Sequence, residues 1–125
     1  MSFVPTVLIV DDSRLSRMMI RSFITNARPD WTIVEASNAQ EALEKTTALT
    51  VDAMTLDLNM PGMDGLSLAA QFKEKYPKAH ITLLTANIQS SVRQRAEAVG
   101  VGFMAKPITE DNVLACLSSL ENSRA

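Results

Sequence analysis

Five short apolar segments alternate along this chain with segments of helical periodicity. The apolar runs are rich in β-branched residues and lie at 6–10, 31–36, 51–57, 81–85 and 101–105. Runs of this length are typical of strands that are buried on both faces, as in a parallel sheet covered by helices. The alternation therefore predicts an α/β fold, in which a five-stranded parallel sheet is flanked by five helices on its two faces.

Size and composition set the class of protein. A chain of 125 residues is expected to form one domain, covering residues 1–125. The net charge of -2 gives no electrostatic reason to expect direct binding to nucleic acid or to an anionic membrane. The single Cys116 excludes an internal disulfide and fits a reducing cytoplasm. No secretory signal is recognisable, and no apolar run approaches the roughly 18 residues of a membrane span.

Chemically distinctive side chains follow four of the five predicted strands. Strand one ends at Asp11 and Asp12, strand three at Asp57, strand four at Thr85 and strand five at Lys106. In parallel sheets of this kind, ligands bind beyond the carboxyl ends of the strands. The sequence therefore predicts that these five side chains meet at one edge of the sheet.

This set of residues is suited to a metal ion and a phosphoryl group. Three neighbouring carboxylates repel one another and raise each other's pKa, and Mg²⁺ removes that conflict because it prefers oxygen ligands. Asn59 can offer a backbone carbonyl as a further ligand. Lys106 and the Thr85 hydroxyl suit the oxygens of a phosphoryl group, and Asp57 is then the nucleophile that forms an acyl phosphate.

Each of these residues also has an ordinary structural interpretation. Lys106 can form a simple salt bridge, Thr85 can be an ordinary strand residue, and Asp12 can cap a helix. An aspartate before a proline and a glycine, as at Asp57, is commonly a turn residue. The joint occurrence of the set at separate strand ends favours the functional interpretation.

At these positions the chain resembles the response-regulator receiver domains of two-component signalling. The resemblance covers nearly the whole length and rests on four segments: Asp11-Asp12-Ser13, the segment 57–65, Leu84-Thr85-Ala86 and Lys106-Pro107. It implies a doubly wound, flavodoxin-like fold with strand order 2-1-3-4-5. It also implies that a sensor histidine kinase, a phosphotransfer protein or a small phosphodonor phosphorylates Asp57. Mg²⁺ would be held by Asp11, Asp12, Asp57 and the backbone carbonyl of Asn59.

The resemblance further implies a switch. In the family, the Thr85 position and an aromatic residue three positions before the lysine, here Phe103, couple the phosphorylation site to a distant face. Many relatives carry Tyr at that position, and Phe lacks the hydroxyl group. Asn59 and Asn87 occupy positions at which family members tune the lifetime of the phosphoryl group. The segment from Gly100 to Phe103 is one residue shorter than is typical, so the loop before strand five is expected to differ.

The implied partners are proteins. The chain is similar to stand-alone, chemotaxis-type receivers, which change partners through the face of helix four, strand five and helix five. Leu15 and Met18 on helix one are candidates for the kinase contact. A monomer or weak dimer in the cytoplasm is expected, with no enzymatic activity beyond its own phosphorylation and dephosphorylation.

The arginines of helix one are interpreted as a solvated face; they are Arg14, Arg17, Arg21 and Arg28. His80 is interpreted as a surface or packing residue at the opposite end of the sheet.

Four alternatives stay open at this stage. The chain can be a receiver cut from a longer regulator with a separate output domain. It can be a small Mg²⁺-dependent phosphohydrolase, although that class usually has a second acid where Asn59 stands. It can be a flavodoxin-like cofactor binder, although Asp11 and Asp12 would repel a phosphate. Finally, it can be a structural adaptor that has kept the fold without the chemistry.

Overall fold

A computed structural model describes residues 4–58, 65–85, 90–106 and 108–124. Strands and helices alternate along the chain and are numbered in chain order: β1 (Thr6–Val10), α1 (Arg14–Ala27), β2 (Thr32–Ala36), α2 (Ala39–Lys45), β3 (Ala53–Asp57), α3 (Gly65–Lys75), β4 (His80–Thr85), α4 (Ser90–Val99), β5 (Gly102–Ala105) and α5 (Glu110–Arg124). The predicted alternation is therefore confirmed.

The strands form one parallel sheet in the order β2-β1-β3-β4-β5. β1 and β3 are neighbours at its centre, with Val10 opposite Leu56. The chain reverses its direction of winding at this point, since β2 lies on one side of β1 and the later strands lie on the other. The residues that follow β1 and β3 consequently emerge side by side at the carboxyl edge, where sheets of this kind place their ligand sites.

The core has two layers, one on each face of the sheet. On one face, α2, α3 and α4 cover alternate strand residues, including Leu8, Met54, Leu56 and Leu83, and Phe72 is the largest buried side chain of that layer. On the other face α1 and α5 cover the remaining strand residues. Each fully buried aliphatic side chain contributes about 1.5–3 kcal/mol relative to an exposed one, so the two layers hold the central strands firmly.

Helix α1 packs one face on the sheet and leaves another in solvent. Ile20 and Ile24 pack into the core, whereas Leu15 and Met18 are 68% and 54% exposed. Leu15 and Met18 therefore lie outside the core, as candidate contact residues must. Their exposure leaves an apolar patch on α1, beside the carboxyl edge of the sheet.

Helix caps explain where the helices begin. Ser13 accepts a hydrogen bond from the backbone N–H of Ser16, and Thr109 caps α5. Asn38 caps α2, and its side chain accepts from Glu41 N at 2.8 Å. Glu41 in turn accepts hydrogen bonds from Ser37, which closes a reciprocal capping arrangement.

Three of the four helix-one arginines form long-range ion pairs: Arg17 and Arg21 with Glu35, and Arg28 with Glu121. Arg21 stays half exposed, whereas Arg17 and Arg28 are more deeply packed. Arg28 binds the Glu121 carboxylate at 2.6 and 3.0 Å, which joins the end of α1 to α5. Its guanidinium also lies 5.8 Å from the centre of the Trp31 ring, just before β2 begins at Thr32. Arg17 pairs with Glu35 of β2, with 3.2 Å between Nε and Oε1. The interpretation of these arginines as a solvated face is corrected for Arg17 and Arg28.

His80 lies at the end of the sheet that was predicted for it. His80 begins β4, at the edge of the sheet opposite the acids, where burial lowers its pKa. In the part of the chain that the structure describes, no helix has the length and apolarity needed to cross a membrane.

Candidate functional site

Three carboxylates converge at the carboxyl edge of the sheet. One oxygen from each of Asp11, Asp12 and Asp57 lies within 4.8 Å of the others. Asp11 is 0% exposed and Asp57 is 4% exposed, whereas Asp12 faces solvent. Adjacent strands β1 and β3 deliver these residues, which is why positions far apart in sequence meet here.

Asp11 is the most deeply buried of the three acids. Its Oδ1 accepts a hydrogen bond from Ser13 N at 2.9 Å, but its buried Oδ2 has no hydrogen-bond partner. Burial raises the pKa of the Asp11 carboxyl, the Ser13 hydrogen bond opposes this, and the charge of Asp57 adds to the increase. A buried acid oxygen without a hydrogen bond, facing two other acids, fits a site for a hard cation.

Lys106 supplies the one ammonium group seen at this cluster among the described residues. Its Nζ lies 3.3 Å from Asp57 Oδ1 and 3.9 Å from Asp11 Oδ2. The backbone N–H of Lys106 donates to the carbonyl of Thr85 at 2.8 Å, so the ends of β4 and β5 are joined at the site. Thr85 is buried at the end of β4, one residue beyond the register partner of Asp57.

The donor set fits Mg²⁺. The ion takes oxygen ligands, retains several waters and is usually bound through a few carboxylates. Asp11, Asp12 and Asp57 are the residues that would hold it, and the buried Asp11 Oδ2, which has no hydrogen-bond partner, is the observation that supports this assignment. When bound, the ion would neutralise charge on the carboxylates and on phosphoryl oxygens.

Gly65 brings α3 into direct contact with the backbone of Asp57. The Gly65 N–H donates to the carbonyl of Leu58 at 3.0 Å. A Cβ atom at position 65 would lie 2.9 Å from the carbonyl carbon of Asp57 and 2.9 Å from Leu58 Cα, too close for any side chain. The absence of a side chain therefore lets the start of α3 pack on the residue that carries the candidate nucleophile.

Phe103 is half-buried on β5, opposite Leu83 of β4. The guanidinium of Arg93 from α4 lies 5.1 Å from the centre of its ring, a distance typical of a cation–π contact. The aromatic residue of the predicted switch is thus held between the core and a charged helix. The sequence analysis did not identify Arg93, because the contact joins α4 to β5.

Two predicted residues lie outside the described part of the chain. These are Asn59, whose backbone carbonyl was predicted as a metal ligand, and Asn87. Residues 60–64, which follow Asn59, lie outside it too. Their assignments stay predictions.

Arg17 and Glu35 support Asp11 from behind the acid cluster, and their role was not predicted from the sequence. The Arg17 Nη1 donates to the backbone carbonyl of Asp11 at 2.6 Å, and Arg17 Nε donates to Glu35 Oε1 at 3.2 Å. Arg17 follows the cap residue Ser13 by four positions and Glu35 is in β2. No local signal in the sequence relates these residues.

Comparison with known proteins identifies the class. The family profile described as "Response regulator receiver domain" matches residues 7–118, and the chain belongs to this family. It is accordingly a phosphorylation-activated switch of two-component signalling.

The relatives include stand-alone and multidomain proteins. The chain is 37% identical over 113 residues to the chemotaxis protein CheY of Listeria monocytogenes, covering 89% of this chain and 93% of that protein. It is 38% identical over 117 residues to a protein-glutamate methylesterase/protein-glutamine glutaminase of Archaeoglobus fulgidus, covering 91% of this chain. The chain spans only 32% of the length of that methylesterase.

Solved structures agree with the fold. The chemotaxis response regulator CheY4 of Vibrio cholerae superposes with a TM-score of 0.86 at 28% identity, covering 94% of this chain and 99% of CheY4. A CheY-like receiver domain protein from Methanospirillum hungatei gives a TM-score of 0.88 at 18% identity, covering 98% of each chain, and supports the fold alone.

Proposed function

We propose that Asp57 is the phosphoacceptor of this receiver, and that a sensor histidine kinase or a phosphotransfer protein is its donor. The proposal rests mainly on one observation: buried Asp57 lies within 4.8 Å of two further carboxylates and 3.3 Å from the Lys106 ammonium. Asp11, Asp12 and Asp57 hold Mg²⁺ in this proposal, and the backbone carbonyl of Asn59 is a further ligand. Asn59 and Asn87 tune the lifetime of the phosphoryl group.

The transfer follows from the placement of these groups. An Asp57 carboxylate oxygen forms a bond to phosphorus, while the bond from phosphorus to the donor nitrogen breaks and the donor keeps that electron pair. Lys106, which now neutralises Asp57 Oδ1, then pairs with a phosphoryl oxygen, and the Thr85 hydroxyl donates a second hydrogen bond. Phosphoryl transfer depends mainly on such positioning and charge neutralisation.

A separate hydrolase activity is not part of the proposal. An aspartyl-phosphate hydrolase commonly uses a second acid two residues after the nucleophile, and Asn59 stands at that position. An amide has no carboxylate with which to activate water as a base. We therefore assign the chain no substrate beyond its own phosphoryl group.

The output is proposed to be a change of protein partner. Residues 1–125 act as a single receiver unit in the cytoplasm, as a monomer or weak dimer, without direct contact to nucleic acid. The CheY relatives, which match this chain over most of their length, support a chemotaxis-type role. The multidomain relatives support the alternative of a receiver module within a longer regulator. Exposed Leu15 and Met18 offer an apolar surface to the phosphodonor protein.

The switch is proposed to act through Thr85 and Phe103. When Thr85 moves toward a phosphoryl group, Phe103 turns inward and the face formed by α4, β5 and α5 changes. The contact with the Arg93 guanidinium stabilises the ring position seen in the structure by about 0.5–1 kcal/mol, the usual value for an exposed cation–π pair. A loss of that size shifts a two-state equilibrium up to about fivefold.

Replacing Arg93 tests this switch. In Arg93→Ala, the inward Phe103 population of the unphosphorylated protein is expected to rise by up to about fivefold. The ring resonances of specifically labelled Phe103 measure that population before and after phosphorylation. Arg95→Ala is the matched control, because Arg95 lies beside Ala70 of α3 at a separate groove. Equal spectra for Arg93→Ala and wild type would contradict the assignment.

Phosphorylation from a small donor tests the function as a whole. Incubation with acetyl phosphate and Mg²⁺ is expected to add one phosphoryl group, detected by intact-protein mass spectrometry. The adduct should disappear with hydroxylamine, which cleaves acyl phosphates, and should not form when EDTA removes the metal. An adduct that resists hydroxylamine, or no adduct with Mg²⁺, would refute the proposal.

A further inference from the structure

The peptide between Asp11 and Asp12 joins two of the three acids of the site. The N–H of Asp11 donates to the carbonyl of Ala36 at 3.1 Å, beyond the last paired residue of β1. The carbonyl of Asp11 instead accepts the Arg17 guanidinium at 2.6 Å. Because a peptide unit is planar, holding this carbonyl also fixes the direction of the Asp12 N–H.

Arg17 is itself held in place. Its side chain is only 15% exposed, and its Nε donates to Glu35 Oε1 of β2. The other carboxylate oxygen of Glu35 accepts from Arg21 at 2.8 Å, and the Glu35 carbonyl accepts from Lys45 at 2.7 Å. These contacts connect α1, β2 and α2 to the peptide between the two acids.

We infer that Arg17 is a positioning residue for the metal site. By holding the carbonyl of Asp11, it sets the relative placement of the Asp11 and Asp12 carboxylates, and Glu35 keeps the guanidinium in its orientation. This inference rests on the proposed Mg²⁺ site and deepens it. Supporting groups of this kind typically change metal affinity by about 10–100-fold when they are removed.

Electrostatics alone predicts the opposite effect. Arg17 is a cation near an acidic cluster, so its removal should strengthen the attraction for Mg²⁺. If positioning dominates, its removal weakens Mg²⁺ binding. The sign of the change therefore distinguishes the two roles.

The test is the Mg²⁺ affinity of Arg17→Met, measured by isothermal titration calorimetry. We expect the dissociation constant to rise about tenfold, and expect Arg17→Lys, which keeps the charge and one donor group, to restore part of the affinity. Arg21→Met is the matched control. It removes the same charge from the same helix and the same Glu35 partner, while the bond from Arg17 to Asp11 is kept. Its dissociation constant should stay within about twofold of wild type or fall.

A second measurement does not need the metal. In ¹⁵N–¹H correlation spectra of the metal-free protein, the Asp12 amide should shift strongly in Arg17→Met and in Glu35→Gln, and little in Arg21→Met. If Arg17→Met does not fold, the Asp12 amide shift in Glu35→Gln is the deciding measurement. That variant weakens the contact that orients Arg17 without removing the guanidinium. Folded Arg17→Met that binds Mg²⁺ as wild type does would overturn this inference alone. Wild-type protein that binds no Mg²⁺ would overturn the proposed metal site and this inference together.

Discussion

The Asp57→Asn variant is expected to form no phosphoryl adduct with acetyl phosphate and Mg²⁺. The amide keeps the shape of the side chain but removes the carboxylate nucleophile, so adduct formation should fall by more than about 100-fold. It also removes the negative charge that Lys106 faces at 3.3 Å and one of the three carboxylates proposed as metal ligands. Intact-protein mass spectrometry under the conditions used for wild type provides the measurement.

Asp52→Asn is the matched control for this experiment. Asp52 lies at the other end of β3, where its carboxylate accepts the Thr6 N–H at 2.9 Å. Because that edge of the sheet is remote from the acid cluster, the control should form the adduct as wild type does. An unchanged adduct in Asp57→Asn would mean that another residue accepts the phosphoryl group. Loss of the adduct in both variants would point to loss of the fold, which circular dichroism detects.

The Gly65→Ala variant is expected to lower the free energy of unfolding by about 1–3 kcal/mol, the usual cost of inserting atoms into a packed site. Its new methyl group would meet the backbone of Asp57 and Leu58 at 2.9 Å or less, and neither backbone can move aside without displacing β3. Helix propensity alone predicts the opposite sign, because Ala is favoured over Gly in a helix by about 1 kcal/mol. Urea unfolding followed by circular dichroism separates these two expectations.

Phosphorylation of Asp57 should be impaired together with the stability of the fold in Gly65→Ala. Since α3 begins on the backbone of Asp57, the added methyl group is expected to slow phosphorylation even under conditions where the variant is folded. Gly102→Ala is the control, because a Cβ at that exposed position would meet the carbonyl oxygen of Ile81 at an ordinary 3.8 Å. Its stability should stay within about 0.5 kcal/mol of wild type. Gly65→Ala with wild-type stability and phosphorylation would show that α3 can move away from Asp57 at no cost.

Local patterns were sufficient for the elements but not for the faces that they bury. The apolar runs located all five strands, but only β1 begins where it was predicted. The other four begin at Thr32, Ala53, His80 and Gly102 instead of at residues 31, 51, 81 and 101. In α1 the apolar residues Leu15 and Met18 are exposed, while Ile20 and Ile24 are the residues in the core, and the sequence did not name the latter pair. An apolar residue near a helix start can satisfy the helical period and still face solvent, because the packing angle of the helix on the sheet decides which side is covered.

The sequence by itself determined that Asp11, Asp12, Asp57 and Lys106 would meet. Parallel strands point their carboxyl ends to one edge of a sheet, so a residue's position at a strand end is enough to place it there. Only the tertiary structure showed that Arg17 holds the carbonyl of Asp11, that Arg93 lies on Phe103, and that Gly65 contacts Asp57. Long side chains from different elements make the first two contacts, and the close approach of a helix to a strand makes the third. Their existence depends on rotamers and on distances between packed elements, and a linear pattern of residue types contains neither.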